Sequence, residues 1–342
     1  MSGDMQSRLR IYCERAFPAK QGVQVSDLTS ISDGWESDIY SFDVEHGPAG
    51  ERRREALILR IYPGDDAHEK SAREFDGMSQ LHKAGYPVPQ VLILERENSP
   101  FDAAQGRPFG KPFVIMERIR GQMLWPLLFG STGERQQELL TQFCGLFVQL
   151  HRLEWRPFVD DASRYDTGDP YTFVDRALTQ FRHSLARFPQ PGFLPVLEWL
   201  EARRDQVVCL RPSPIHMDFH PGNVLLRDDG SAVVIDWTGL DISDSRFDLA
   251  WTLLLVSTHE DEEWRDIVLR EYERLAGISV EQIAYFDVAA CARRLFSIVI
   301  SLSEGPEKLG MRPGAVTMMK QQMGAIKRVH DLLQERAGIR VS

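Results

Sequence analysis

His216-Met217-Asp218-Phe219-His220-Pro221-Gly222-Asn223 is the stretch whose reading decides the fold, together with Asp236, which follows thirteen residues later in Val233-Val234-Ile235-Asp236-Trp237. The order is His-x-Asp, then Asn five residues after the Asp, then a strand ending in a second Asp. Taken singly, His216 reads as a hydrogen-bonded loop histidine, and turns favour both Asp and Asn. The ordered set asks for more. Phosphoryl transfer needs one carboxylate to orient a hydroxyl and accept its proton. It also needs an amide oxygen and a second carboxylate to hold the metal that bridges the phosphates. A loop carrying Asp218 and Asn223, with a hairpin delivering Asp236, supplies those groups.

Outward from this stretch the chain changes texture. Residues 5–17 place Leu9, Cys13 and Phe17 near helical spacing, which predicts a short leading helix. Residues 39–44 alternate apolar and polar, and 56–61 form a buried-strand run, with a polar hairpin loop at 46–54 between them. A helix is expected over 66–84, closed by Pro87 and Pro89. Strands follow at 91–94 and 112–117, with a polar Gly- and Pro-containing loop at 98–111. Past Gly121, helices are expected at 134–153, 175–188 and 195–208. After the short β-like runs of 214–235 come further helices at 246–257, 261–275, 280–305 and 314–337. The pattern is α+β and bilobal, with a small β-rich N-lobe at 1–118 and a larger, mainly helical C-lobe at 119–342. A ligand cleft between two such lobes is an ordinary expectation.

Bulk properties agree. A chain of 342 residues exceeds the usual single-core size of ~250–300. The formal net charge of -10 argues against nucleic acid as a partner, because phosphate-backbone binding needs a basic surface. No apolar run reaches the ~18 residues of a membrane helix. The opening residues have no signal-peptide pattern, so the expected location is cytoplasmic. Cys13, Cys144, Cys209 and Cys291 are scattered, with no CxxC pair, which favours buried free thiols over a zinc cluster or disulfide framework.

His216–Leu226 (HMDFHPGNVLL), with 234–237 (VIDW), resembles the catalytic loop and metal segment of the aminoglycoside phosphotransferase family, the small-molecule kinases with a protein-kinase-like fold. The resemblance spans about 28–305. It implies Asp218 as catalytic base, Asn223 and Asp236 as Mg²⁺ ligands, ATP or GTP as phosphate donor, and His216 as support for the loop. Met217 stands where that family usually has Gly. The resemblance also puts Arg60 in the place of the strand lysine that pairs with a helix glutamate, here Glu74; a surface Arg and a solvated Glu is the other reading of that pair. Gly34 to Ser37 falls at the phosphate-covering loop but has a single Gly, and equally reads as an ordinary turn. The Glu117 carbonyl and the Ile119 N–H fall where the hinge would read the nucleotide base, or they simply end a strand. Asp248 is expected to cap the helix after the metal segment and brace the loop, and His151 to be structural.

The implied reaction is transfer of a γ-phosphate to a hydroxyl of an aminoglycoside-like or other small metabolite. The acceptor is not legible. Glu260–Glu263, Asp241, Asp244 and the helix near Tyr285 would suit an amino sugar, or form a solvated acidic face. The rival function is a nucleotide-binding pseudokinase or scaffold, which the sparse glycine loop supports. Neither the oligomeric state nor the choice between ATP and GTP can be read from the chain.

Overall fold

The computed structural model describes residues 2–31, 37–48, 50–64, 66–96, 109–165, 168–209, 211–309, 316–317 and 323–341. The chain forms two compact units, Met1–Gly121 with Arg227–Thr238, and Gln122–Leu226 with Gly239–Ser342.

The first unit is built on an antiparallel sheet. Helix α1 (Ser2–Ala16) precedes β1 (Gln24–Ile31), β2 (Asp38–His46) and β3 (Arg53–Ile61). Helix α2 (Ala67–Lys83), β4 (Val91–Glu95) and β5 (Phe113–Glu117) follow. The sheet order is β1-β2-β3-β5-β4. Alternation along β2 and β3 turns Phe42, Val44, Leu57 and Leu59 inward, where Leu9 and Cys13 of α1 join them. Each such leucine, fully buried, contributes ~1.5–3 kcal/mol. Helix α2 buries Ala67, Ser71, Glu74, Met78 and Leu81, a stripe at helical spacing that includes one acid. Residues 227–238 return to this unit: Val234 N–H donates to the Pro87 carbonyl at 2.9 Å, and the Trp237 ring meets Tyr86 edge-on at 5.6 Å.

The second unit is mainly helical. After the short strand β6 (Gln122–Met123) come α3 (Leu124–Gly130), α4 (Gly133–Arg152), α5 (Thr172–Arg187) and α6 (Leu194–Glu201). Strands β7 (Ser213–Ile215) and β8 (Val224–Leu226) frame the His216–Asn223 loop. Strand β7 pairs with Asp241–Ser243, and β8 with β6. Helices α7 (Ser245–His259), α8 (Glu262–Ala276), α9 (Ile283–Ser303) and α10 (Met323–Ala337) complete it. No helix of the described residues is long and apolar enough to cross a membrane.

Three local differences from expectation have physical causes. Strand β1 buries only Val25 and Val23 just before it, and its pairing with β2 shifts between Ser26 and Thr29, so it lacks alternation. Helix α6 ends at Glu201 rather than 208: the chain passes into a single 3-10 turn at Arg204–Gln206, where Arg204 forks onto both oxygens of Asp175 at 2.7 and 2.6 Å. The hairpin loop at 46–54 is shorter, since the strands run to His46 and resume at Arg53. The four cysteines are free thiols; Cys13, Cys144 and Cys291 are buried and Cys209 is half-buried.

Candidate functional site

In the first unit the candidates converge on Arg60. Residue 60 faces Ile39 and Val114 across the sheet, one residue before the end of β3. Its side chain is 8% exposed. The guanidinium donates to Ser37 Oγ at 2.8 Å, Glu74 Oε1 at 2.8 Å and Asp236 Oδ1 at 2.9 Å. Glu74 is 1% exposed and also accepts from the Tyr62 hydroxyl. Burial alone would lower the Arg60 pKa, but the Glu74 and Asp236 carboxylates raise it well above its ordinary value, so it stays charged. Burial, with the Asp236 charge behind it, raises the Glu74 pKa against the pull of Arg60. The surface-pair reading of Arg60 and Glu74 is therefore corrected: the pair is buried and directly bonded.

Asp236 has φ +65°, a left-handed conformation that is strained for a residue with a Cβ. Its side chain is 43% exposed, so one carboxylate faces both Arg60 and solvent. Glu117 ends β5; its carboxylate pairs with Arg227 at 3.1 Å, and Ile119 lies just past the strand. Gly34 lies outside the described residues, as does most of the expected phosphate loop. Ser37 is described, and it is buried against Arg60.

In the second unit the His216–Asn223 loop is shaped from beneath. Asp248 is fully buried in the first turn of α7, and its carboxylate accepts from His216 N at 2.6 Å and Met217 N at 2.8 Å. His151 Nε2 lies 3.5 Å from the same carboxylate. Asp248 is not the helix cap; Asp244 is, accepting from Arg246 N at 3.0 Å. Met217 takes φ +65°. Gly239 makes that possible, since a Cβ there would sit 2.7 Å from the His216 carbonyl and 3.1 Å from Met217 Cβ. His216 is fully buried and its Nδ1 accepts from Asp218 N at 3.3 Å.

Asp218 then emerges with its side chain 45% exposed. Trp251 Nε1 donates to Oδ1 at 2.8 Å, His220 Nε2 lies 3.6 Å from Oδ2, and Asn223 Nδ2 donates to the Asp218 carbonyl at 2.9 Å. The carboxylate lies deep in the protein mass although one side is open. Burial is the largest influence and would raise its pKa. His220, Trp251 and His216 together outweigh it and hold the group well below the usual carboxylate range. Asp218 is thus an ionised, oriented acceptor of hydrogen bonds.

The donor types suit a hard divalent cation. Asn223 spends its Nδ2 on Asp218, which leaves the amide oxygen as its open acceptor among the described residues. Asp236 presents a half-exposed carboxylate. Oxygen ligands of this kind are those Mg²⁺ takes, with water and phosphate completing the shell. Among the described residues no three His, Cys, Asp or Glu side chains cluster as a metal site.

Four neighbours of the loop carry no motif and escape a reading by spacing: Trp125, Trp251, Arg293 and Arg294. The last two had one signal, being adjacent charges in the otherwise apolar centre of α9.

Residues 27–283 match the family model described as the phosphotransferase enzyme family. The chain belongs to that family. The phosphotransferase fold extends across solved structures. A Ralstonia eutropha JMP134 protein described as an aminoglycoside phosphotransferase aligns with a TM-score of 0.64 at 14% identity, covering 97% of this chain and 98% of that one. A thermostable mutant of aminoglycoside phosphotransferase APH(4)-Ia, in ternary complex with AMP-PNP and hygromycin B, aligns with a TM-score of 0.57 at 17% identity, covering 97% and 99%. Spectinomycin phosphotransferase APH(9)-Ia, with ADP and spectinomycin, gives 0.56 at 12% identity, covering 96% and 98%. At such identities the likeness is one of fold: a protein-kinase-like architecture with a small antiparallel N-lobe and a larger helical part. In sequence, 207 residues are 27% identical to Acyl-CoA dehydrogenase family member 10 of Mus musculus, covering 58% of this chain. The chain spans only 18% of that relative's length.

Proposed function

We propose that this phosphotransferase is a Mg²⁺-dependent small-molecule kinase that moves the γ-phosphate of ATP or GTP to a hydroxyl of a small metabolite. The observation that carries the reading is Asp218: a half-exposed carboxylate kept ionised by Trp251 and His220, on a loop fixed by buried Asp248. Such a group orients a hydroxyl and takes its proton late, when the oxygen has become acidic through bond formation to phosphorus. Arg60, held charged by Glu74, is suited to the donor's phosphate oxygens. Asn223 and Asp236 are the residues to hold Mg²⁺, which when bound neutralises charge on the transferring phosphoryl oxygens. The phosphotransferases solved with AMP-PNP and with ADP support a nucleotide as donor.

The test is calorimetric titration of Mg²⁺-ATP and Mg²⁺-GTP, with a transfer assay alongside. Asp218→Ala is expected to abolish transfer and leave nucleotide affinity largely intact. Asp236→Ala is expected to remove the Mg²⁺ dependence of nucleotide binding. Near-normal turnover in Asp218→Ala would overturn the assignment of the base. Wild-type binding of nucleotide with no transfer to any hydroxyl would make the chain a nucleotide-binding scaffold.

A further inference from the structure

We infer that Tyr62 is a positioning residue of the phosphate site: its hydroxyl fixes Glu74 and its ring flanks Arg60, so that the guanidinium is held in one orientation before a nucleotide arrives. This deepens the kinase reading and rests on it for the role of Arg60.

Arg60 and Tyr62 stand two residues apart at the end of β3, so in an extended chain both side chains leave the same face. The chain is kept extended there. Tyr62 N–H donates to the Pro112 carbonyl at 3.0 Å, which carries the β3–β5 ladder one residue past the pair of Ile61 and Phe113. Tyr62 is buried, and its hydroxyl donates to Glu74 Oε2, while Arg60 Nη1 donates to Glu74 Oε1 at 2.8 Å. Each oxygen of that buried carboxylate thus has its own side-chain donor, and the main-chain N–H of Trp237 adds another bond. Rotation of the carboxyl group would strip a buried oxygen of its donor, which costs desolvation without return. Arg60 Cζ lies 5.7 Å from the centroid of the Tyr62 ring, within reach of a cation–π contact. One side chain therefore touches both members of the Arg60–Glu74 pair.

The guanidinium is held at two of its three nitrogens. Nε donates to Ser37 Oγ at 2.8 Å, and Nη1 is shared between Glu74 and Asp236. Nη2 has no hydrogen-bond partner among the described residues. A planar group fixed at Nε and Nη1 leaves one direction for Nη2, and a phosphate oxygen arriving there meets a donor already aimed. The hold on Nη1 is the weaker of the two, because one N–H group serves two carboxylates. Tyr62 secures it from the far side of Glu74. Burial, then the Glu74 charge, push the Tyr62 pKa well above its ordinary value against the pull of Arg60, so the hydroxyl remains a donor.

The experiment reads Arg60 directly. The full chain is labelled with ¹⁵N-arginine, the Arg60 Nε–H signal is assigned by its loss in Arg60→Lys, and its exchange with solvent is timed in wild type and Tyr62→Phe. Phe keeps the buried ring and removes only the hydroxyl, so the fold is retained, which the urea midpoint checks. Exchange is expected to be at least about tenfold faster in Tyr62→Phe, equivalent to weakening one charge-assisted contact. The Kd for Mg²⁺-ATP should rise about tenfold and KM with it, while kcat at saturation stays within about threefold. In a Glu74→Ala background the same substitution should change exchange and affinity less than about twofold, since the hydroxyl acts through that carboxylate. A tyrosine that only filled the core would lower the urea midpoint and leave Arg60 exchange as it is. Unchanged exchange in Tyr62→Phe, or an equal effect with Glu74 removed, overturns the proposal. Faster exchange with unchanged Kd also overturns it, by showing Arg60 held for something other than the nucleotide. Wild-type protein that binds neither Mg²⁺-ATP nor Mg²⁺-GTP would sink the kinase reading, and the exchange rates would still decide whether Tyr62 holds Arg60.

Discussion

Replacing Asp248 with Asn should damage the protein far more than an isosteric change suggests. The carboxylate is fully buried and accepts two main-chain N–H groups, from His216 at 2.6 Å and Met217 at 2.8 Å. Each bond to the charged group is worth ~1.5–3 kcal/mol. Asn keeps one acceptor oxygen and turns an NH₂ towards the other N–H, so one bond is lost and one buried donor is orphaned. The cost comes to roughly 3–5 kcal/mol. The N–H that loses its partner belongs to a loop holding Met217 at φ +65°, so the loop has a strained backbone to release. Displacement of Asp218 by about 1 Å should cost on the order of 100-fold in turnover. Nucleotide affinity measured without Mg²⁺ should change less than about threefold, because Arg60 and Glu74 belong to the other unit, whereas the Mg²⁺-dependent part should weaken with the loop that carries Asn223. Urea unfolding, steady-state kinetics and calorimetry read the three quantities. Asp244→Asn, which takes the charge from a buried helix cap paired with Arg246 but leaves the His216 and Met217 N–H groups their acceptor, is the control; it should lose stability while keeping turnover near normal. A loss below about 1 kcal/mol in Asp248→Asn, with normal turnover, would refute the claim that Asp248 shapes the loop.

Three other outcomes follow from the same geometry. Arg60→Met should cost about 3–5 kcal/mol by leaving Glu74 buried without its cation, and adding Glu74→Leu should recover at least about 2 kcal/mol, measured by urea unfolding as a double-mutant cycle; additive losses would show that the pair is not coupled. Met217→Gly should be near neutral in stability, since relief of ~1–2 kcal/mol of left-handed strain is set against ~0.5–1 kcal/mol of glycine entropy; a loss above about 2 kcal/mol would show that the Met side chain packs rather than strains. The lowered pKa of Asp218 also fixes a sign: its ionisation contributes stability above its ordinary 3.8 and loses it as pH falls through the lower folded value. The stability gap between wild type and Asp218→Asn should therefore shrink only in acid below about pH 4, and a gap that already closes near neutrality would show the carboxylate is not held ionised.

How much of this was legible in the sequence depends on whether a contact is local. The strands at 39–44 and 56–61 and the helix at 66–84 appear within a residue or a few of their expected places, because alternation and helical spacing are set by each segment's own burial. Strand β1 and helix α3 were not legible. The first has almost no buried face, and the second, Leu-Trp-Pro-Leu-Leu-Phe-Gly, is too short to show a period. Within the loop, the order His-x-Asp and the Asn five residues on located Asp218 and Asn223, since both are fixed by the same turn. Trp251, 33 residues beyond Asp218, bonds its carboxylate, and Arg293, 76 residues beyond Met217, bonds that residue's carbonyl; they come from two different helices, so no spacing could announce them. The cap was misread for a related reason. Asp244 and Asp248 both precede or open one helix, and only the contact with His216 and Met217 tells the brace from the cap.

The same distinction bears on substrate. The residues that a motif names, Asp218, Asn223 and Asp236, are the ones we propose for the transfer step whatever the acceptor is, so they say nothing about it. An acceptor is distinguished by the charge that it meets. An overall acidic chain invites a cationic substrate only if its acids are free to meet one. Here Asp241, Asp244 and Asp287 are each tied to an arginine, and those pairs cancel locally.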